Sequence, residues 1–203
     1  MSQAKRLTPQ MLVWAYRQGV FPMARGRRGP VDWYDPPRRG VLPLDSFHVP
    51  RRLGKQVRRG EYQISFDLAF ERVIRVCSMP RPGHPDTWIS AEIVSAYVGL
   101  HESGLAHSIE AWRDNPGHDP ELVGGVYGVS LGGAFFGESM FSRATNVSKI
   151  CLVHLVEHLR GRGYTLFDTQ FLTPHLQQFG ALEISRAEYH QRLERALEVE
   201  AVF

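Results

Sequence analysis

Gly132-Gly133-Ala134-Phe135-Phe136-Gly137-Glu138-Ser139-Met140-Phe141-Ser142-Arg143, followed further on by Asp168-Thr169-Gln170, decides how this chain is read. The apolar run 132–137 predicts a strand that Gly137 closes, so that Glu138 leaves the sheet edge beside Met140 and Phe141. A carboxylate flanked by large apolar side chains suits a cationic guest. Residues 146–162 carry a helical pattern, with Asn146 as its cap and Gly163 as its exit. Residues 164–167 predict the next strand, and a period of two puts Asp168 and Gln170 on one face with Thr169 opposite. A carboxylate and an amide then point together into one cleft.

Outward from this unit, 107–113, 121–130 and 132–137 predict consecutive strands, the first two joined by the Asn115-Pro116-Gly117 turn, in an antiparallel meander. Before them stand a strand at 63–66, a helix from N-cap Asp67 to about Ser78, a Pro/Gly-rich loop through Asp86, and a helix from Ser90 to His101 with Gly104 beyond it. Thr8-Pro9 opens a helix with a Met11, Leu12, Ala15, Tyr16 stripe that Gly19 ends. Residues 20–45 predict mostly loop with one short strand at 40–42, and Pro50 starts a basic helix ending at Gly60. A short helix at 174–179 and a Ser185-x-x-Glu188 capping box close the chain. The class is α+β, a mixed sheet with flanking helices like that of the N-acetyltransferase superfamily. A small basic N-terminal lobe (1–60), too irregular for a core of its own, packs on a catalytic domain (61–203).

The 203 residues suffice for one large domain or two small ones. No apolar run approaches the ~20 residues of a membrane span, and residues 1–5 lack a secretory signal, which places the protein in the cytoplasm. Cys77 and Cys151 lack C-x-x-C spacing and predict neither disulfide nor zinc site. His154-x-x-Glu157-His158 matches an inverted zinc-protease pattern by chance composition, so no metal or cofactor is expected. Charge is uneven: residues 1–60 hold thirteen Lys or Arg against three acids, within a net charge of only +3. Arg25, Arg27 and Arg28, Arg38 and Arg39, and Arg51, Arg52, Lys55, Arg58 and Arg59 form clusters that fit phosphate, though a solvated face would look the same. Phe21, Trp33, Tyr34 and Phe47 interleave with them and serve either as stacking surfaces for bases or as core.

At these residues the chain resembles leucyl/phenylalanyl-tRNA-protein transferase, over about residues 7–195. Besides 137–143 the resemblance includes Trp33-Tyr34-Asp35-Pro36, similar to the family's Trp-Trp-Ser-Pro, then Arg39, Thr87-Trp88-Ile89, His107-Ser108-Ile109-Glu110 and Gly124-Gly125-Val126-Tyr127-Gly128, in order and spacing. The chain starts just after the position of the family's Gly-Gly-Asp-Leu string, has Phe21-Pro22-Met23 where the family tends to Phe-Pro-Trp, and carries Thr169 in place of a cysteine. The resemblance implies transfer of Leu or Phe, with Met a further candidate, from aminoacyl-tRNA to proteins beginning with Arg or Lys, creating a degradation signal.

Peptide-bond formation from an aminoacyl ester is downhill, so alignment, proton removal and oxyanion stabilisation suffice. Gln170 offers an amide oxygen to orient the amine, and Asp168 is expected to bond the Gln170 amide nitrogen or carry charge, roles the resemblance also implies. Glu138 is expected to receive the acceptor's guanidinium or ammonium; a salt bridge to Arg143 or Lys149 is the rival reading. Val126, Phe135 and Met140 are candidates for the donor side-chain socket or for plain core. Trp33, Arg39, Arg51, Arg52, Lys55 and Trp88 are candidates for the tRNA 3′ end and phosphates. An acyl-CoA-dependent N-acetyltransferase is the alternative, but it needs a glycine-rich turn before a helix, where this chain has Ser142-Arg143-Ala144-Thr145. A plain RNA-binding module would leave Glu138, Asp168 and Gln170 unused.

Overall fold

The computed structural model describes residues 6–80 and 86–203; the expected loop at 81–85 and the first five residues lie outside them. Helix α1 (Pro9–Arg17) begins where expected, the Thr8 hydroxyl accepting from Met11 N–H, and buries Leu12, Ala15 and Tyr16. Most of the stretch predicted as loop instead folds into β1 (Phe21–Ala24) and β2 (Val31–Tyr34), an antiparallel pair, while the short strand expected at 40–42 is β3 (Arg38–Val41). Its proline and glycine content hid both strands of the pair; Pro22 sits in a two-stranded ribbon, where a missing N–H is tolerated.

Next come α2 (Arg51–Arg59), ended by left-handed Gly60, then β4 (Gln63–Phe66), α3 (Phe70–Cys77) and α4 (Ala91–Glu102). Asp67 does not cap α3: its carboxylate accepts from Ser108 N–H and pairs with His107 instead. The meander is β5 (Ala106–Arg113), β6 (Glu121–Leu131) and β7 (Ala134–Ser142). Helix α5 (Val147–Gly161) returns the chain to β8 (Leu166–Gln170), which lies parallel to β7. Asn146 precedes α5 with φ 67° and bonds Gln56 of α2; Ser142 Oγ takes the expected capping role by accepting from Ser148 N–H. Short α6 (Pro174–Gln177), β9 (Leu182–Ser185) and α7 (Arg186–Leu197) follow, the last capped by Ser185. Strand β9, largely exposed and only four residues long, offered too little alternation to be predicted.

One seven-stranded mixed sheet runs β4-β5-β6-β7-β8-β3-β9, with helices flanking it. Strand β3 lies inside it, hydrogen-bonded to both β8 and β9, so the expected boundary at residue 60 is corrected: a cut there would split a sheet. The core lies on both faces, one cluster including Tyr16, Ile93, Tyr97, Tyr127 and Phe136, the other including Ile109, Val126, Phe135, Leu155 and Phe179.

Two features of the sheet make the site. Strands β7 and β8 pair only from Ala134 with Leu166 to Phe136 with Asp168, while β7 continues along β6 as far as Ser142. The expected strand end at Gly137 is therefore wrong; the backbone runs through it. The β6–β7 register shifts there, so that Tyr127 faces Ser139 and Gly128 faces Gly137, and Glu138 is the extra residue of a β-bulge. A bulge re-aims a side chain that regular pleating would have placed elsewhere.

Candidate active site

Where β7 and β8 part, a cavity of about 860 Å³ opens between them. Val126, Met140, Leu152, Phe167 and Leu176 form an apolar part of its wall, Phe21, Met23 and Trp88 another, and Glu138, Thr169 and Gln170 bring polar groups.

Glu138 is partly exposed into this cavity. Tyr16 of α1 donates to Oε1 at 2.6 Å and Tyr97 of α4 to Oε2 at 3.1 Å, and the two hydroxyls also touch one another. Neither partner offers a positive charge. Among the described residues Glu138 has no ion pair: Arg143 instead bonds the Leu122 carbonyl and Lys149 the Gln178 side chain. Burial pushes the Glu138 carboxyl up to about 7; the two tyrosine hydrogen bonds and Arg39 act against that rise, and Asp168 adds to it. Burial and the neighbouring Glu138 charge raise both tyrosines well above the ordinary tyrosine range, so they stay protonated donors.

Gln170 ends β8 with φ 58°, a left-handed conformation costly for a residue with a side chain. Asp168 holds it there, its Oδ1 accepting from Gln170 N–H at 2.8 Å. Gly40 of β3 lets the following turn pack closely: a Cβ on it would meet the Phe171 carbonyl carbon at 2.5 Å. Facing the carbonyls of Gly137 and Thr169, the Gln170 amide presents nitrogen, which donates at 2.8 and 3.1 Å. Its other arm, the oxygen, then points to Glu138, 3.5 Å from Oε1.

Several expectations are corrected. Asp168 is buried and does not line the cavity, whereas Thr169 does, because the left-handed Gln170 breaks the alternation assumed for the strand. Asp168 bonds the Gln170 backbone and not its side-chain amide. Arg39 cannot meet a phosphate. It is wholly buried, and its Nε and Nη2 donate to the two Asp168 oxygens at 2.9 and 2.6 Å. Nη1 donates to the Gly19 carbonyl, and the guanidinium lies between the Phe21 and Tyr189 rings. Tyr189 adds a 2.7 Å hydrogen bond to Asp168. Phe135 is core: it packs on Phe167, Tyr164 and Phe203 behind the cavity wall.

The remaining candidates lie elsewhere around the site. Val126, Met140 and Trp88 line the cavity. Trp33 is exposed on β2 next to Tyr34, whose ring stacks on Phe21 of the cavity wall. Arg51, Arg52 and Lys55 are exposed on α2, which touches the start of α5 through Gln56 and Asn146. Sequence reasoning missed Tyr16, Tyr97 and Tyr189 as polar partners. Each reads as an apolar member of a helical stripe, and only the fold brings their hydroxyls to a carboxylate.

A mixed sheet whose parallel pair opens onto an apolar cavity, with one carboxylate beside one amide, is laid out for acyl transfer to an amine. Two sequence patterns match the chain: leucyl/phenylalanyl-tRNA protein transferase N-terminal domain over residues 5–37 and leucyl/phenylalanyl-tRNA protein transferase over 41–194. The chain belongs to this family of aminoacyltransferases. It is 54% identical to a leucyl/phenylalanyl-tRNA–protein transferase of Hyphomonas neptunium, over 98% of this chain and 75% of that protein. Identity is 52% with that of Paramagnetospirillum magneticum (97% and 92% covered) and 56% with that of Caulobacter vibrioides (92% and 84%). In fold it is similar to the crystal structure of FemX, with a TM-score of 0.57 at 11% identity, over 87% of this chain and 66% of that one.

Proposed function

We propose that the chain moves Leu or Phe, with Met a third candidate donor, from the 3′ end of charged tRNA to the α-amino group of polypeptides that begin with Arg or Lys, marking them for degradation. The names of the relatives support the donor class. The observation that carries the reading is Glu138, a carboxylate without an ion pair among the described residues, beside the Gln170 amide in an otherwise largely apolar cavity. An anion kept unneutralised at the cost of its desolvation awaits a cation from outside. The N-terminal residue of a basic acceptor brings two.

In this reading the donor side chain enters the apolar wall between Val126 and Met140, with Leu152, Phe167 and Leu176 around it. Trp88, Met23 and Phe21 give the terminal base a surface to stack on, and Trp33 extends that surface outside the cavity. Arg51, Arg52 and Lys55 on α2 meet backbone phosphates, so that affinity falls with salt and tRNA bodies are poorly distinguished. The Gln170 oxygen orients the amine's lone pair toward the ester carbonyl, while Asp168, Arg39 and Tyr189 act behind it as positioning residues. We take the sheet to be N-acetyltransferase-like, which the parting of β7 from β8 supports, and the compartment to be the cytoplasm, where charged tRNA is present. Among the described residues no helix is long and apolar enough to cross a membrane.

Incubation with labelled leucyl-tRNA, or with labelled acetyl-CoA, and a peptide beginning with Lys tests this reading. Leucyl-peptide is expected from the first and no acetyl-peptide from the second; acetylation without aminoacylation would overturn it.

A further inference from the structure

We propose that Glu138 is the proton acceptor for the α-ammonium of the incoming polypeptide, acting on the nitrogen that attacks and not on the side chain of the first residue. The inference rests on the function proposed above and assigns the charge that Glu138 receives.

Distance decides between the two cations. The Gln170 amide arm and Glu138 Oε1 are 3.5 Å apart, and both residues line the cavity. A nitrogen hydrogen-bonded to the first at an ordinary ~2.9 Å can turn a second N–H to the other, because an ammonium carries three donors. The guanidinium or ε-ammonium of the same residue sits at the far end of its aliphatic stem and cannot share that spot. If Gln170 aligns the amine, Glu138 is the next group the amine meets.

The carboxylate is built for the task. Tyr16 and Tyr97 each occupy one oxygen with a single hydrogen bond, which fixes the group yet leaves acceptor capacity on both oxygens. The titratable and charged groups facing it are Tyr16 from α1, Tyr97 from α4, Tyr127 from β6, Asp168 from β8 and Arg39 from β3. The tyrosines are all held protonated, and Arg39 is already committed to Asp168. Burial places Glu138 at about 7, within roughly one unit of an α-amine near 8, so the proton can pass either way without a large barrier.

The balance is complete without a co-reactant. Glu138 takes one proton from the –NH3+ group, and the neutral amine attacks the ester carbonyl carbon. A C–N bond forms and the C–O bond to the ribose oxygen breaks. The second amine proton goes to that departing oxygen, which leaves as a hydroxyl, and Glu138 returns its proton to solvent.

The test is the pH dependence of single-turnover transfer from leucyl-tRNA by wild type and Glu138→Gln, with one peptide beginning with Lys and one with norleucine. The variant is expected to lose about tenfold in rate at pH 6.5 with both peptides, because only roughly 3% of an amine of pKa near 8 is then unprotonated, and most of that deficit should vanish by pH 9.5, where the amine is already neutral. A loss confined to the Lys peptide and constant with pH would overturn the proposal in favour of side-chain recognition. Wild type carries an independent readout should the variant not fold. Its rate should inflect near pH 7 whichever peptide is used, and an inflection that instead follows each peptide's own amine pKa would overturn the proposal. Absence of any leucyl-peptide from wild type would mark failure of the proposed function itself.

Discussion

Replacing Arg39 by methionine separates a structural arginine from a tRNA-binding one. The guanidinium is wholly buried and gives Asp168 two hydrogen bonds; without it, a buried carboxylate keeps, among the described residues, only Tyr189 and the Gln170 N–H. Removing one partner of such a pair costs about 3–5 kcal/mol, since the remaining charge stays desolvated. At roughly 2–4 °C per kcal/mol for a chain of this size, Tm should fall by about 6–20 °C. Thermal and urea unfolding measure that fall, and filter binding of charged tRNA measures the rival role. The double variant Arg39→Met with Asp168→Leu, which replaces the pair with apolar bulk, should regain much of the stability. It should not regain activity, because Gln170 then loses the bond that holds its left-handed backbone. An Arg39→Met protein of unchanged Tm with weakened tRNA binding would refute the reasoning.

Glu138 keeps its proton up to about 7 in the fold but loses it near the ordinary carboxylate value when unfolded, so the folded state binds the extra proton between those values. Stability should decline as pH rises through that window, and Glu138→Gln should be more stable than wild type at pH 8, by at most about 3 kcal/mol, but not at pH 4, as urea titrations at the two values will show. Neutralising Arg51, Arg52 and Lys55 together should weaken charged-tRNA binding and flatten its salt dependence, by roughly 0.7–0.9 in log–log slope for each phosphate left without its cation, with Tm unchanged. Val126→Phe should fill the apolar wall and reduce transfer of Phe more than of Leu, measured as the ratio of the two kcat/KM values.

Sequence reading succeeded where structure is local. Thr8, Ser90 and Ser185 announce helices by hydrogen bonds three residues long, and β4 and β5 fall on the short runs 63–66 and 107–113 from which they are predicted. It failed where a partner lies far along the chain. Arg39 looks like one more cation in a basic segment until the fold brings Asp168, 129 residues away, against it. Likewise Gly137 has the signature of a strand end, but β6 carries the pairing past it and turns the next residue into a bulge. The regular period assumed for β8 fails at Gln170, whose positive φ depends on the Asp168 side chain and on the bare backbone of Gly40. Polar residues 138 and 170 are nonetheless legible, because a carboxylate among apolar neighbours and an amide at a strand terminus stand out in any register.

A crystal structure with an aminoacyl-adenosine analogue, its ester replaced by a stable amide, tests the account most directly. The leucyl side chain should lie between Val126 and Met140, with the acyl carbonyl in the gap where β7 leaves β8, facing Glu138 and Gln170. An analogue bound outside that cavity, or with its carbonyl turned away from both residues, would contradict it.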